Sequence, residues 1–131
     1  MGNEFSAADF APHLIYPLQF VTYLSENALT TARVLISAGG YHPKLRLRKA
    51  TTLRVNVVND TTAGIMVLVH GANTAATLTE GSTTDPIGHL SEMTIVDAYK
   101  DVSSDERIEA YFSTAPGASG LMLFLTYELI A

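Results

Sequence analysis

The feature that most constrains the fold is a period-two alternation of apolar and polar residues in short stretches separated by turn residues. Residues 44–48 alternate charged side chains with leucine, and residues 52–59 alternate apolar and polar side chains. Successive side chains of a β-strand point to opposite faces, so this period predicts strands with one buried face. In the second stretch, the pattern places Leu53 in the core and Arg54 in solvent.

Similar signals recur along most of the chain. Residues 65–70 form a continuous apolar run, which is typical of a strand covered on both faces. Residues 25–38 carry helical spacing, but 31–37 also alternate, and we favour a strand there because the neighbouring segments are strands. The predicted strands are 14–24, which Pro17 interrupts, 31–37, 44–48, 52–59, 65–70, 93–98, 107–113 and 121–130, of which the last is apolar enough to be central. Residues 71–91 are predicted to form a long surface loop with one short strand at 75–79, and residues 100–106 a polar turn.

About eight short strands with turn signals between them predict an all-β fold, a single Greek-key sandwich of cupredoxin-like or jelly-roll topology. A length of 131 residues fits one domain, 1–131, with 1–13 as an N-terminal arm. No apolar run approaches the roughly 20 residues that span a bilayer. The start, Met-Gly-Asn-Glu-Phe-Ser, is not a signal peptide but fits the pattern for myristoylation of Gly2. We therefore expect a location in a virion or the cytoplasm.

The composition favours a protein that associates with copies of itself. Apolar residues make up 47% of the chain and charged residues only 16%, so a monomer would leave much apolar surface in water. The chain has no cysteine, which excludes disulfides, thiolate nucleophiles and Cys-ligated metals.

Basic residues are concentrated in one short segment. Residues 44–54 hold five of the eight Lys and Arg residues and no acid, a charge of +5; the other three bases and thirteen acids give −10, and the sum is the net −5. The candidate interface residues are Lys44, Arg46, Arg48, Lys49 and Arg54. In a strand, Lys44, Arg46 and Arg48 share one face, and Leu45 and Leu47 point to the core.

Three interpretations of this segment are open. The first is an edge strand protected by its charges against edge-to-edge pairing. The second is a docking face for the acidic surface of a neighbouring subunit. The third is nucleic-acid binding, which is least favoured because Tyr41 is the one aromatic nearby and the overall charge repels phosphate.

From Thr31 onward the order of features resembles the cupredoxin-like fold. The residues that carry the resemblance are 32–37, 41–43, 45–49 and 53–59 near the start, and 108–112, 115–117 and 120–124 near the end. The family's copper ligands do not carry over. Thr126 or Ser113 stands where the thiolate ligand would be, and no histidine follows His89. The resemblance therefore implies a copper-free member, since a blue-copper centre needs the thiolate.

The sequence contains no clear motif for a metal, catalytic or phosphate-binding site. The four histidines, at 13, 42, 70 and 89, are not spaced as a local metal pair, and lone histidines are more often hydrogen-bonded core or rim residues. The carboxylates at 101, 105, 106 and 109 fit a solvated turn better than a cation site. There is no Gly-x-Ser-x-Gly elbow and no glycine-rich phosphate loop. We therefore predict no catalytic residue, no cofactor and no metal, although a small hydrolase stays open as a third class.

The expected function is that of a non-enzymatic structural subunit of a larger assembly, most specifically a viral or phage capsid or capsid-decoration protein. The composition is similar in style to that of small phage capsid-associated proteins, which is an analogy. The expected partners are copies of the chain or other shell subunits. The alternative is a copper-free cupredoxin-like accessory or binding domain.

Overall fold

Two antiparallel five-stranded sheets make up the structure, a computed structural model that describes residues 18–25, 27–55, 64–79, 87–114 and 120–130. The strands are β1 Leu18–Leu24, β2 Val34–Ser37, β3 Leu45–Arg54, β4 Ile65–His70, β5 Asn73–Thr79, β6 Leu90–Glu92, β7 Thr94–Ile95, β8 Asp101–Val102, β9 Ile108–Thr114 and β10 Leu121–Leu129. A single 3-10 turn, Asp97–Tyr99, lies between β7 and β8. The predicted all-β sandwich is confirmed.

The strand order shows how the chain is wound. The first sheet has the order β1-β10-β3-β6, with β8 also pairing with β3, and the second has the order β2-β9-β4-β5-β7. The main pairs are nested: β1 pairs with β10, β2 with β9, β3 with β6 and β4 with β5. One long antiparallel ribbon wound over two sheets in this way is the jelly-roll arrangement, which is one of the two predicted topologies.

Strand β3 joins the two stretches that the alternation predicted as separate strands, and a bulge changes its phase. Lys49 is opposite Thr126 and Leu47 is opposite Tyr127, so Arg48 is an extra residue in β3. Leu47 is buried before the bulge and Arg54 is buried after it, at 2% exposure. The prediction that Arg54 points to solvent is therefore wrong, because the bulge shifts the inward positions by one residue.

Strand β3 is also not an edge strand. It lies between β10 on one side and β6 and β8 on the other. The interpretation of residues 44–54 as an edge protected by charge is therefore wrong. Strand β10 lies between β1 and β3, which confirms its predicted central position.

The remaining differences concern short elements. Among the described residues of 25–38 there is a strand, β2, and no helix, which confirms the favoured alternative, although the strand begins at Val34 and not at residue 31. The predicted strand 93–98 is reduced to the two residues of β7 and is followed by the 3-10 turn. Strand β6 falls in a predicted loop and β8 in a predicted turn, because strands of two or three residues are too short for a period to be visible.

The core lies between the two sheets and includes one buried polar pair. Its apolar members are the inward side chains of the long strands, chiefly Leu24, Leu45, Leu47, Met66, Leu68, Ile108, Phe112, Leu121, Leu123 and Leu125. Tyr127 of the first sheet lies 2.6 Å from Nε2 of His70 in the second, measured from its hydroxyl oxygen. Because this hydrogen bond joins two buried polar groups, it fixes how the sheets face each other.

Some predictions fall outside the described residues. These are the N-terminal arm 1–13, the myristoylation pattern at Gly2, Pro17 and the ends of several predicted loops. Within the described ranges, no helix is long and apolar enough to cross a membrane.

Candidate assembly interface

The basic side chains of β3 and the preceding residue lie on the outer face of the first sheet. Lys44, Arg48 and Lys49 are exposed and Arg46 is partly buried, whereas Leu45 and Leu47 face the core as predicted. Arg48 and Lys49 are both exposed because the bulge turns two successive residues outward. Arg54 does not belong to this surface.

Acidic side chains from other strands meet these basic residues within the same chain. Arg46 donates two hydrogen bonds to the Asp101 carboxylate, from Nε at 2.7 Å and from Nη2 at 3.1 Å. Arg48 pairs with Glu128, and Nζ of Lys49 lies 3.9 Å from Oε1 of Glu92. The separation of charge along the sequence is therefore largely removed by folding.

The contact between Arg46 and Asp101 shifts the pKa values of both groups. The hydrogen bonds from Arg46 hold the pKa of Asp101 below its ordinary value, and the same carboxylate raises the pKa of Arg46. Both groups therefore stay charged at neutral pH. We name the group formed by Arg46, Arg48, Lys49, Glu92, Asp101 and Glu128 the charged cluster.

The other half of the same face is apolar. Tyr23, Met122, Leu53 and Leu90 form one row across β1, β10, β3 and β6, because each is directly opposite the next in the strand register. Val21 and Phe124 stand in the next row, and Thr51 and Glu92 complete that row. We name the six apolar residues, Val21, Tyr23, Leu53, Leu90, Met122 and Phe124, the apolar band.

The side chains of the apolar band are open to solvent. Leu90 is 62% exposed, Val21 56%, Tyr23 43% and Phe124 36%, while Leu53 and Met122 are partly buried. Neighbouring strands lie about 4.8 Å apart, so the band is roughly 15 Å wide across its four strands. A contiguous exposed apolar patch of this kind is a candidate interaction surface.

The sequence reasoning missed the apolar band, although a signal for it was present. Residues 121–125 read Leu-Met-Leu-Phe-Leu, which is apolar at both inward and outward positions. That run correctly predicted a central strand. It also placed Met122 and Phe124 on the opposite face, where no covering element was predicted.

Two of the described histidines, His70 and His42, make hydrogen bonds within the fold. Nδ1 of His70 donates to the Tyr99 carbonyl at 2.9 Å, and Nε2 accepts the hydrogen bond from Tyr127. Burial lowers the pKa of His70 and raises the pKa of Tyr127, so both groups are neutral. The ring nitrogens of His42 lie 2.8 Å from the Pro43 carbonyl oxygen and 2.7 Å from that of Glu106. Both residues match the interpretation of lone histidines as hydrogen-bonded core or rim residues.

Within the described ranges, no three His, Asp or Glu side chains are grouped as metal ligands. A small pocket of about 100 Å³ lies at the bulge, lined by Arg48, Lys49, Ala50, Glu92, Met93 and Ile95. Pockets for organic ligands usually hold roughly 300–1,000 Å³. The pocket is too small for such a ligand, and its basic side chains contact carboxylates.

Comparison of the chain with protein-family models, with curated proteins and with solved structures finds no match. Function is therefore argued from the geometry alone.

Proposed function

We propose that the protein is a non-enzymatic structural subunit of a larger assembly, and that the apolar band contacts neighbouring subunits. The observation that carries this proposal is a band of apolar side chains on adjacent strands of one sheet face, of which four are exposed and two are partly buried. Burying such side chains stabilises an interface by about 25 cal/mol for each Å² of apolar surface removed from water. The low charge content of the chain supports the same conclusion.

The more specific form of this proposal is a viral or phage capsid or capsid-decoration protein, located in the virion. The jelly-roll winding supports it, because viral shells are among the assemblies built from this architecture. Lectins and cupins share the architecture, so the fold contributes by analogy and the surface carries the argument. The partners would be copies of the chain or other shell subunits.

The charged cluster has a secondary role in this proposal. Arg46, Arg48 and Lys49 each contact a carboxylate of their own chain, so they present little unbalanced positive charge to a neighbour or to nucleic acid. In this proposal the main contact lies on the apolar half of the face, which differs from the docking expected from sequence.

Analytical ultracentrifugation and electron microscopy of the purified protein over a wide concentration range test the proposal. We expect regular species larger than a dimer, and we expect Leu90→Glu to weaken them without altering the circular dichroism spectrum. A protein that stays monomeric at high concentration would contradict the proposal and favour an accessory or binding domain.

A further inference from the structure

Among the described strands, β1 is a long sheet edge whose own sequence lacks the usual protection. In the described part of the chain it pairs with β10 alone, over all seven residues and without a bulge. Its sequence, Leu-Gln-Phe-Val-Thr-Tyr-Leu, contains no charge, proline or glycine. Native proteins usually protect such edges with charges, prolines, bulges or very short strands, because free N–H and C=O groups invite another strand to pair.

The other edges in the described ranges are protected. Strand β2 has four residues and an irregular register between Leu35 and Ser37. Strand β6 has three residues and ends at Glu92, and β7 and β8 have two residues each. The contrast identifies β1 as the edge suited to pairing.

We propose that β1 pairs antiparallel with β1 of a second copy of this chain, about a two-fold axis that passes through Val21. In this register Val21 faces its own counterpart, and the other pairs are Leu18 with Leu24, Gln19 with Tyr23 and Phe20 with Thr22. Each pair joins two inward or two outward positions, so the pleats of the two sheets match. The first sheets of the two copies become one continuous sheet.

A second copy suits this edge for electrostatic reasons. A two-fold axis places two copies of the same strand side by side, so a strand with several charges of one sign would bring like charges close together. Strand β1 has no charge, and it meets no such repulsion. A neutral strand also offers no attraction to a strongly charged partner.

The extent of the surface is also compatible with a dimer. Strand β2 is the edge of the second sheet and packs beside β1, so the second sheet extends the same wall, where Leu35 is 48% exposed. Seven residues at about 3.4 Å each and two sheets about 10 Å apart give a wall of roughly 24 Å by 20 Å. This footprint of about 500 Å² lies near the lower end for specific dimers, which bury about 800 Å² of accessible surface per partner.

The inference goes beyond the proposed function, because it depends on the backbone edge of β1 and not on the apolar band being covered. A dimer can form in the absence of a larger assembly. The test therefore uses readouts that separate a dimer from larger species.

Cysteine cross-linking gives the sharpest test, since the native chain has no cysteine. Directly opposite residues of antiparallel strands have Cα atoms about 4.5 or 5.5 Å apart, within the range of roughly 4.4–6.8 Å for a disulfide. We expect Val21→Cys to form a disulfide-linked dimer under mild oxidation by oxidised glutathione. Gln19→Cys alone should not, because its counterpart lies four residues away along the strand, about 14 Å. A mixture of Gln19→Cys and Tyr23→Cys proteins should cross-link between the two.

Leu90→Cys is the matched control, because Leu90 is equally exposed but lies on β6, at the other side of the sheet. In light scattering, the wild type should be a dimer at least, Val21→Lys should dissociate at least tenfold more readily, and Leu90→Lys should keep the dimer. A monomeric wild type would overturn the inference. So would cross-linking through Leu90→Cys in place of Val21→Cys, or through Gln19→Cys alone, because the dimer would then use another surface or register.

Discussion

The charged cluster and the apolar band adjoin each other on the same sheet face, yet they differ in what they leave for a partner. In the cluster, Arg46 contacts Asp101 and Arg48 contacts Glu128. In the band, Leu90 and Phe124 are open to solvent. Charged residues can find their complement within a chain, whereas apolar residues on an outer face are covered only by another element. The basic segment 44–54 is the most conspicuous feature of the sequence, but in the folded protein it is less available to a partner than the apolar band.

The largest expected effect comes from placing charge in the apolar band. Leu90→Glu combined with Phe124→Glu should weaken association beyond the dimer at least 100-fold. Full burial of each native side chain contributes about 1.5–3 kcal/mol, and 1.4 kcal/mol is a factor of ten in affinity. Sedimentation velocity measures the effect.

Thr94→Glu is the control, because Thr94 is exposed on the second sheet, away from the band. Unchanged association in the double variant would show that the band is not the contact and would reverse the comparison between the two halves.

The next effect concerns the charged cluster. Changing Lys44, Arg46 and Arg48 together to Glu should lower the free energy of unfolding by about 1–3 kcal/mol, because the new carboxylates face Asp101 and Glu128 of the same chain. From sequence alone, this variant is expected to weaken assembly and leave the fold intact. Urea unfolding and sedimentation of the same protein separate the two outcomes.

Arg46→Glu combined with Asp101→Arg provides the control, because it exchanges the partners of one ion pair. We expect this exchange to recover part of the stability that Arg46→Glu loses. A triple variant of normal stability that fails to assemble would instead support docking of the basic residues on a neighbour.

More of the fold than of the interface could be predicted from the sequence. Alternation and turn residues located β1, β4, β5, β9 and β10, because long strands repeat their period several times. Strands of two or three residues show no period and were missed. The phase of β3 was wrong beyond Lys49, since a bulge depends on how β3 pairs with β10 and local sequence does not encode that pairing.

The candidate interface could be predicted from the sequence only in part, for a related reason. Which face of Lys44 to Arg48 is exposed follows from local alternation. That Asp101, Glu92 and Glu128 meet this face depends on contacts over 40 to 80 residues along the chain, which no spacing rule reveals. The apolar band requires the same long-range register, because it combines residues from four strands.

A smaller effect concerns stability at low pH, where the ion pair between Arg46 and Asp101 is lost. Since Arg46 lowers the pKa of Asp101, the folded state binds this proton less readily than the unfolded state. The pair therefore contributes stability above the ordinary pKa of an aspartate, and this contribution is lost as the pH falls through the lowered value. Because both side chains are substantially exposed, solvent screens the pair and this contribution should be small.

Comparing urea unfolding of the wild type and Asp101→Asn at pH 7 and pH 3 isolates this contribution. The difference between the two proteins should be present at pH 7 and smaller at pH 3. An equal difference at both pH values would contradict a role for the charged carboxylate. The apolar band contains no Asp, Glu or His, so its contacts should not follow the same profile.

The smallest expected effect is that of salt on association, and its sign separates the two halves of the face. Contacts between exposed charges are screened over about 8–10 Å at physiological ionic strength, so docking through Arg46, Arg48 and Lys49 would loosen as sodium chloride rises from 20 to 500 mM. Contacts through the apolar band should keep their strength, and sodium sulfate should tighten them because sulfate strengthens apolar burial.

Sedimentation of the wild type across both salt series provides the measurement, with Lys49→Gln as a control that removes one exposed cation. Dissociation of the larger species in sodium chloride, lessened in Lys49→Gln, would assign the contact to the charged cluster. A flat response in chloride with tightening in sulfate is expected, because the ion pairs are already formed within each subunit and the unburied surface is apolar.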